Sequence, residues 1–326
     1  MDSDNVIYEI RPTSDCMKKR MTHLFCVILI FTVILSGCSA PPNQKELTGS
    51  ANITGTMDIP LGRGQFVFND SLGNSDRSIT VYTYRPSAWN LSGPVLIIMP
   101  GADRSGQSPR ETWIPYAEQY SSLLVVPEFS LENYPGDYWY NAGNTFDSGK
   151  WNPKANWTYM AVEHLFDYIC KKSGATQSTY LLFGHSAGGQ FVHRMVTFLP
   201  EARYSRAVAA NPGLYVLPVY TVQYPFGLKD SPLPKSNLPT VFARKLIVMS
   251  GGSDTNPNDS GLANFPEAKA QGSTRFERAE FYFTIAKDEA ERLQVPLNWE
   301  YHIVPGVGHS ESGMAGPSAI LLFNGT

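Results

Sequence analysis

From residue 65 onward, short apolar runs alternate with longer amphipathic stretches. Residues 65–68 and 79–84 alternate apolar and polar positions beside Gly-Asn and Asp turns, as hairpin strands with one solvated face do. Residues 95–99, 123–126, 180–183, 207–210 and 246–249 are near-continuous apolar runs, the pattern of strands buried on both faces, and residues 299–304 read as a further strand. Between them, segments 112–120, 158–172, 189–199 and 275–293 carry a helical period. This alternation predicts an α/β architecture: a mostly parallel, eight-stranded sheet with helices on both faces. No second linker interrupts it, so residues 61–326 read as one domain. Two long inserts stand out. Residues 129–157 are dense in aromatic side chains and residues 211–240 are rich in proline. Connections of that length in a compact domain are commonly functional.

The first 60 residues follow a different pattern. Lys18, Lys19 and Arg20 precede the apolar run 24–35, which ends in Leu35-Ser36-Gly37-Cys38. A basic cluster, a short apolar core and small residues before a cut make a secretory signal. The run is too short to span a bilayer comfortably, which takes about 20 residues. The Leu-Ser-Gly-Cys ending resembles a lipobox, the signal of bacterial-type lipoproteins. That resemblance implies a signal peptide of residues 1–37, cleavage before Cys38 and lipid on its sulfur. An uncleaved anchor helix is the alternative, and either arrangement puts the domain outside the cytoplasm, at the cell surface or envelope. Met17 is an alternative start, which would leave residues 1–16 untranslated. Residues 38–60, polar with Pro and Gly, read as a membrane tether.

Composition narrows the classes. The 326 residues are 42% hydrophobic and 17% charged with a net charge of −3, enough apolar material for a core and no basic surplus for nucleic acid. Once a lipidated Cys38 is set aside and the signal removed, Cys170 stands alone, in an apolar helical pattern. It reads as a buried small hydrophobe. No His-Glu-x-x-His or paired His/Cys spacing occurs, so a zinc site is not expected, and the serine chemistry read below requires neither a metal nor an organic cofactor.

The sharpest chemical signal is Gly184-His185-Ser186-Ala187-Gly188-Gly189. It fits G-x-S-x-G, follows an apolar strand and precedes a helix, which is the context that gives this motif meaning. A serine on such a turn stands clear of the sheet, but its hydroxyl needs a base and an orienting acid. Asp254 lies just past the run 246–249, and His309 just past the run 299–304 in a Gly-rich turn. The chain order Ser186, Asp254, His309 is the order expected of nucleophile, acid and base in this context. Two backbone donors for an oxyanion are expected from Ala187 and from Ala102, in the loop after residues 95–99.

These pieces, together with the Met99–Arg104 loop, Gly251–Asp254 and Gly308-His309, resemble the α/β-hydrolase fold over nearly all of residues 65–323. Within it they are similar to esterase and polyester-depolymerase-like families. One departure is Pro100-Gly101, where such esterases often carry His-Gly. It spares the backbone donors and leaves open what hydrogen-bonds behind them. The resemblance implies acyl transfer through a covalent intermediate on small-molecule or polymeric esters. Two alternatives stay open: a serine peptidase or amidase of the same fold, and a non-catalytic surface binding protein.

Other residues carry less. His185 is expected to pack beside the elbow and His193 to be a packing or surface residue; His164 and His302 receive no role. Trp139, Tyr140 and Trp151 either line a substrate pocket or pin the long insert against the core. Residues 212–239 lie where lids sit in this fold. Sequons at Asn52, Asn69, Asn90, Asn156, Asn258 and Asn324 permit surface glycosylation and little more.

Overall fold

The computed structural model describes residues 59–324. The signal segment, Cys38 and nearly all of the tether lie outside the described residues. Eight strands form one sheet: β1 (Gly62–Asn69), β2 (Ser78–Arg85), β3 (Val95–Met99), β4 (Leu123–Glu128), β7 (Tyr180–His185), β8 (Tyr204–Ala210), β9 (Leu246–Gly251) and β10 (Glu300–Val304). A separate two-stranded hairpin, β5 (Phe146–Asp147) and β6 (Lys150–Trp151), interrupts the aromatic insert. Its turn places Ser148 at φ 47° and Gly149 at φ 85°, as a two-residue hairpin loop with matching twist requires.

The sheet order is β1-β2-β4-β3-β7-β8-β9-β10. β2 runs antiparallel to β1 and β4, and every other neighbouring pair is parallel. The mostly parallel eight-stranded sheet expected from the apolar runs is therefore present. Alternation along β3 divides the core. Val95, Ile97 and Met99 point to one face, Leu96 and Ile98 to the other. The first face is covered by α3 (Thr158–Ser173), α4 (Ala187–Phe198), α5 (Leu238–Phe242) and α7 (Arg275–Leu293), through side chains such as Val162, Phe191, Val241 and Tyr282. The second is covered by α1 (Gln107–Tyr120) and α8 (Glu311–Phe323), through Trp113, Ala117, Met314 and Ala319. Two single-turn helices, α2 (Gly136–Trp139) and α6 (Pro266–Lys269), lie in connections.

Helix α8 has no counterpart among the expected segments. Its sequence, ESGMAGPSAILLF, carries two glycines and Pro317 and has no polar stripe to reveal a period. It forms because it fills the second face beside α1. Gly316 faces the Tyr116 hydroxyl so closely that an added Cβ would lie 2.8 Å from it. Helix α1 begins five residues before its expected start, since its first turn is polar. No helix among the described residues is long and apolar enough to cross a membrane.

Phe183, fully buried in β7, packs its ring 4.6 Å from that of Trp113 on α1. Phe183→Ala is expected to cost about 3–5 kcal/mol of unfolding free energy, measured by chemical denaturation.

Candidate active site

The carboxyl ends of β7, β9 and β10 converge on one point. Ser186 follows β7 directly with φ 56° and ψ −114°, a conformation L-residues rarely adopt, and α4 starts at the next residue. The surrounding glycines explain how so sharp a turn fits. A Cβ on Gly184 would sit inside the Gly188 carbonyl, and one on Gly188 would overlap the Met99 carbonyl. A Cβ on Gly189 would lie 2.7 Å from the Ala210 carbonyl oxygen. The turn is thus pressed between β3 and β8, and the Ser186 amide is held by the Ala210 carbonyl at 2.9 Å.

The structure brings Ser186, His309 and Asp254 together. His309 Nε2 lies 3.0 Å from Ser186 Oγ, and His309 Nδ1 lies 2.8 Å from Asp254 Oδ2. A carboxylate can only accept, so Nδ1 carries the proton and Nε2 keeps the lone pair that faces the serine hydroxyl. Asp254 is 4% exposed, while the His309 side chain keeps about a quarter of its surface open. Low exposure strengthens each of these contacts relative to water.

The two loops that carry Asp254 and His309 are interlocked. Gly252 and Ser253 donate to the carbonyls of Val304 and Val307, and a Cβ on Gly251 would collide with the Val307 carbonyl. Asn211, at φ 47° just past β8, joins them. Its amide donates to Met249 O, its Oδ1 accepts from the Gly251 amide at 2.7 Å, and its Nδ2 donates to Gly308 O at 3.3 Å. In the sequence Asn211 stood out only as the first position of the proline-rich insert 211–240.

Arg275, the first residue of α7, was likewise missed. Its Nη1 lies 3.5 Å from Asp254 Oδ1 and its Nη2 donates to Asp259 Oδ1 at 2.8 Å. Nothing in the period of a helix distinguishes a buried arginine from a solvated one.

Ala187 opens α4, whose first intrahelical bond runs from the Gln190 amide to Ser186 O. Its own N–H therefore has no partner inside the helix, and the helix dipole favours negative charge there. Ala102 is exposed in the turn closed by the Arg104 amide on Gly101 O at 3.1 Å. This loop is anchored from below. The Tyr140 hydroxyl donates to Pro100 O at 2.7 Å, and the Arg104 guanidinium, 4.3 Å over the Tyr140 ring, donates to the carbonyls of Phe129, Tyr134 and Gly136. Tyr140 supplies the hydrogen bond that the Pro100-Gly101 departure left open.

That contact corrects one sequence expectation. Tyr140 is fully buried, so its ring supports the loop from within the core and does not line an open pocket. Trp139 and Trp151 are half-buried. Trp139 lies beneath the Arg77 guanidinium, and Trp151 packs on Phe146 and Tyr224 while its Nε1 donates to Asp230 O.

His185 packs its ring 4.7 Å from that of His309, and burial drives its pKa down to about 3. His193 is fully buried with its pKa also depressed by burial; its Nδ1 donates to Gly189 O and its Nε2 accepts from the Val216 amide, tying α4 to the proline-rich insert. Burial raises the Glu311 carboxyl, two residues past His309, to about 7, with Asp103 adding to the effect. Cys170 is half-buried, and burial raises its thiol pKa. Among the described residues no cluster of His, Cys, Asp and Glu could hold a metal ion.

The low pKa of His185 has a sign. The unfolded chain takes up its proton below about pH 6.5, while the native state resists until about pH 3. The unfolded form therefore binds more protons in that window, and stability falls as the pH drops through it, by about 1.4 kcal/mol per pH unit for a fully resisting group. Denaturation midpoints of His185→Gln measured from pH 7.5 to 4 are expected to fall less steeply than those of the wild type.

No family model matches the chain, and no curated protein matches it. Among solved structures, poly(aspartic acid) hydrolase-1 from Sphingomonas sp. KT-1 aligns with TM-score 0.78 and 35% identity, covering 81% of this chain and 99% of that one. LpqC, the poly(3-hydroxybutyrate) depolymerase of Bordetella parapertussis, aligns with TM-score 0.78 and 35% identity over 82% and 91% of the two chains. An S-formylglutathione hydrolase from Agrobacterium tumefaciens, at TM-score 0.51 and 16% identity over 82% and 98%, shares the fold alone. With two relatives this similar over almost their whole length, the chain belongs to the α/β-hydrolase family of esterases and polymer depolymerases and is a hydrolase of the ester type.

Proposed function

We propose that the protein is an extracytoplasmic serine hydrolase that cleaves carboxylic esters in a chain-like substrate through an acyl-enzyme. The observation that carries this reading is the unbroken hydrogen-bond line from Asp254 through His309 to Ser186 on a strained turn. His309 Nε2 takes the Ser186 proton as Oγ attacks the ester carbonyl, and Asp254 stabilises the imidazolium that forms. The N–H groups of Ala187 and Ala102 receive the oxyanion. His309 then protonates the leaving alcohol, water replaces it, and the same base activates that water for deacylation.

The polymer preference rests on the two relatives at 35% identity, one named for poly(aspartic acid), the other for poly(3-hydroxybutyrate). Trp139 and Trp151 retain exposed ring surface and are proposed to meet the acyl chain. An exported protein held to a membrane by lipid on Cys38 would reach a polymer that cannot enter the cell. A second reading, hydrolysis of an amide chain, is favoured by the relative named for poly(aspartic acid).

Turnover of p-nitrophenyl butyrate by the wild type, loss of at least about 10⁴-fold in kcat for Ser186→Ala and a loss of similar order for Asp254→Asn are the expected results. Ester turnover that survives Ser186→Ala refutes the mechanism. Cleavage of poly(aspartic acid) without ester turnover reverses the order of the two readings.

A further inference from the structure

We propose that Arg275 is a positioning residue for the acid of the triad, a clamp that fixes which oxygen of Asp254 faces His309. The inference rests on the reading of Ser186, His309 and Asp254 given above.

Asp254 begins a loop whose next four residues, Thr255, Asn256, Pro257 and Asn258, are all exposed, three of them polar. A carboxylate on such a loop would ordinarily sample several rotamers in water, yet Asp254 is buried with one oxygen committed to His309. The other oxygen, Oδ1, faces a guanidinium that is itself only 3% exposed. The same guanidinium holds Asp259, at the far end of the loop, at 2.8 Å. Asp259 Oδ1 also accepts from the Gly261 amide at 2.9 Å, so the second anchor is fixed to backbone. One planar fork thus closes the loop at both ends, using two nitrogens that diverge toward two carboxylates.

The clamp is mounted rigidly. Arg275 opens α7, and the Thr274 hydroxyl caps that helix by accepting from the Glu277 amide at 3.2 Å. The Phe276 amide donates to Asp254 O at 3.3 Å, so the helix end meets the backbone of the acid as well as its side chain. Charge fits the assignment. Two carboxylates and one guanidinium leave a single net negative charge beside a neutral His309, and formation of the imidazolium makes the cluster neutral. A lysine at position 275 could reach one carboxylate but could not bridge both from a single planar head.

The test compares Arg275→Met, Arg275→Lys and Asp259→Asn with the wild type, using p-nitrophenyl butyrate turnover, fluorophosphonate labelling of Ser186 and melting temperature. Arg275→Met is expected to lower kcat by roughly tenfold or more with KM within twofold, and to slow labelling by the same factor. Arg275→Lys is expected to recover part of both rates. Asp259→Asn, which loosens only the far anchor, is expected to lower kcat by a few-fold with little change in melting temperature. It keeps the question open to refutation if Arg275→Met does not fold. Unchanged kcat in Asp259→Asn, or equal kcat in the Lys variant and the wild type alongside a lowered melting temperature, overturns the proposal. So does a loss confined to KM. Wild-type activity that survives Ser186→Ala is a separate result, and it would strike at the triad itself.

Discussion

The close approach of backbone to backbone at the Ser186 turn is the constraint on which the rest depends. A positive φ at a serine is unfavourable by itself, by about 1–3 kcal/mol. It persists here because β3, β8 and α4 press on the turn from three sides with no room for side chains at Gly184, Gly188 or Gly189. The same contacts fix the loop after β3, since the Met99 and Pro100 carbonyls are the groups that abut Gly188. The N–H of Ala187 and the loop holding Ala102 are therefore placed by one packing contact, not by two independent ones. A sheet with its core divided between two faces supplies the stiffness, because β3 and β7 are buried throughout.

Around that turn, fixed polar groups take the place of regular secondary structure. The long connections at this edge have carbonyls that no strand or helix satisfies, and buried backbone acceptors need partners. Arginines provide them. Arg104 collects carbonyls from 129, 134 and 136, Arg194 that of 141, and Arg278 those of 213, 263 and 272. Each guanidinium joins pieces of chain far apart in sequence. His193 does the same with a neutral ring, and Asn211 with a side-chain amide. The inserts are ordered by these cross-links and by ring packing such as the stack of Tyr215 on Tyr282, 4.3 Å apart.

The division between what the sequence revealed and what it concealed follows from this. All eight strands of the main sheet were legible: β3, β4, β7, β8 and β9 because a strand buried on both faces reads as a short, sharply bounded apolar run, and β1 and β2 by their alternation beside turn residues. The Gly184–Gly189 motif was legible because close backbone approach excludes side chains, which leaves a mark in the residue types. Asp254 and His309 could be picked out by their place just past strand ends. Helix α8 was illegible for the opposite reason: an element apolar on nearly every side has no period. Asn211, Arg275 and the support given by Tyr140 were hidden as well. Their roles depend on which carbonyl or carboxylate lies across the fold, and a residue type at a given spacing does not encode that.

Tyr140 shows how the two kinds of information trade places. As one ring among many in residues 129–157, it had the same standing as Trp139 and Trp151. Its burial and its hydrogen bond to Pro100 separate it from them. A proline in the loop offers no side-chain donor or acceptor, so the loop cannot hold itself in place through position 100. A hydroxyl reaching up from the insert does so instead, with Arg104 packed over the same ring. The aromatic insert is thus coupled to the loop that carries Ala102, and through Gly188 to the Ser186 turn. Length in that connection is used for support beneath the site as much as for surface around it.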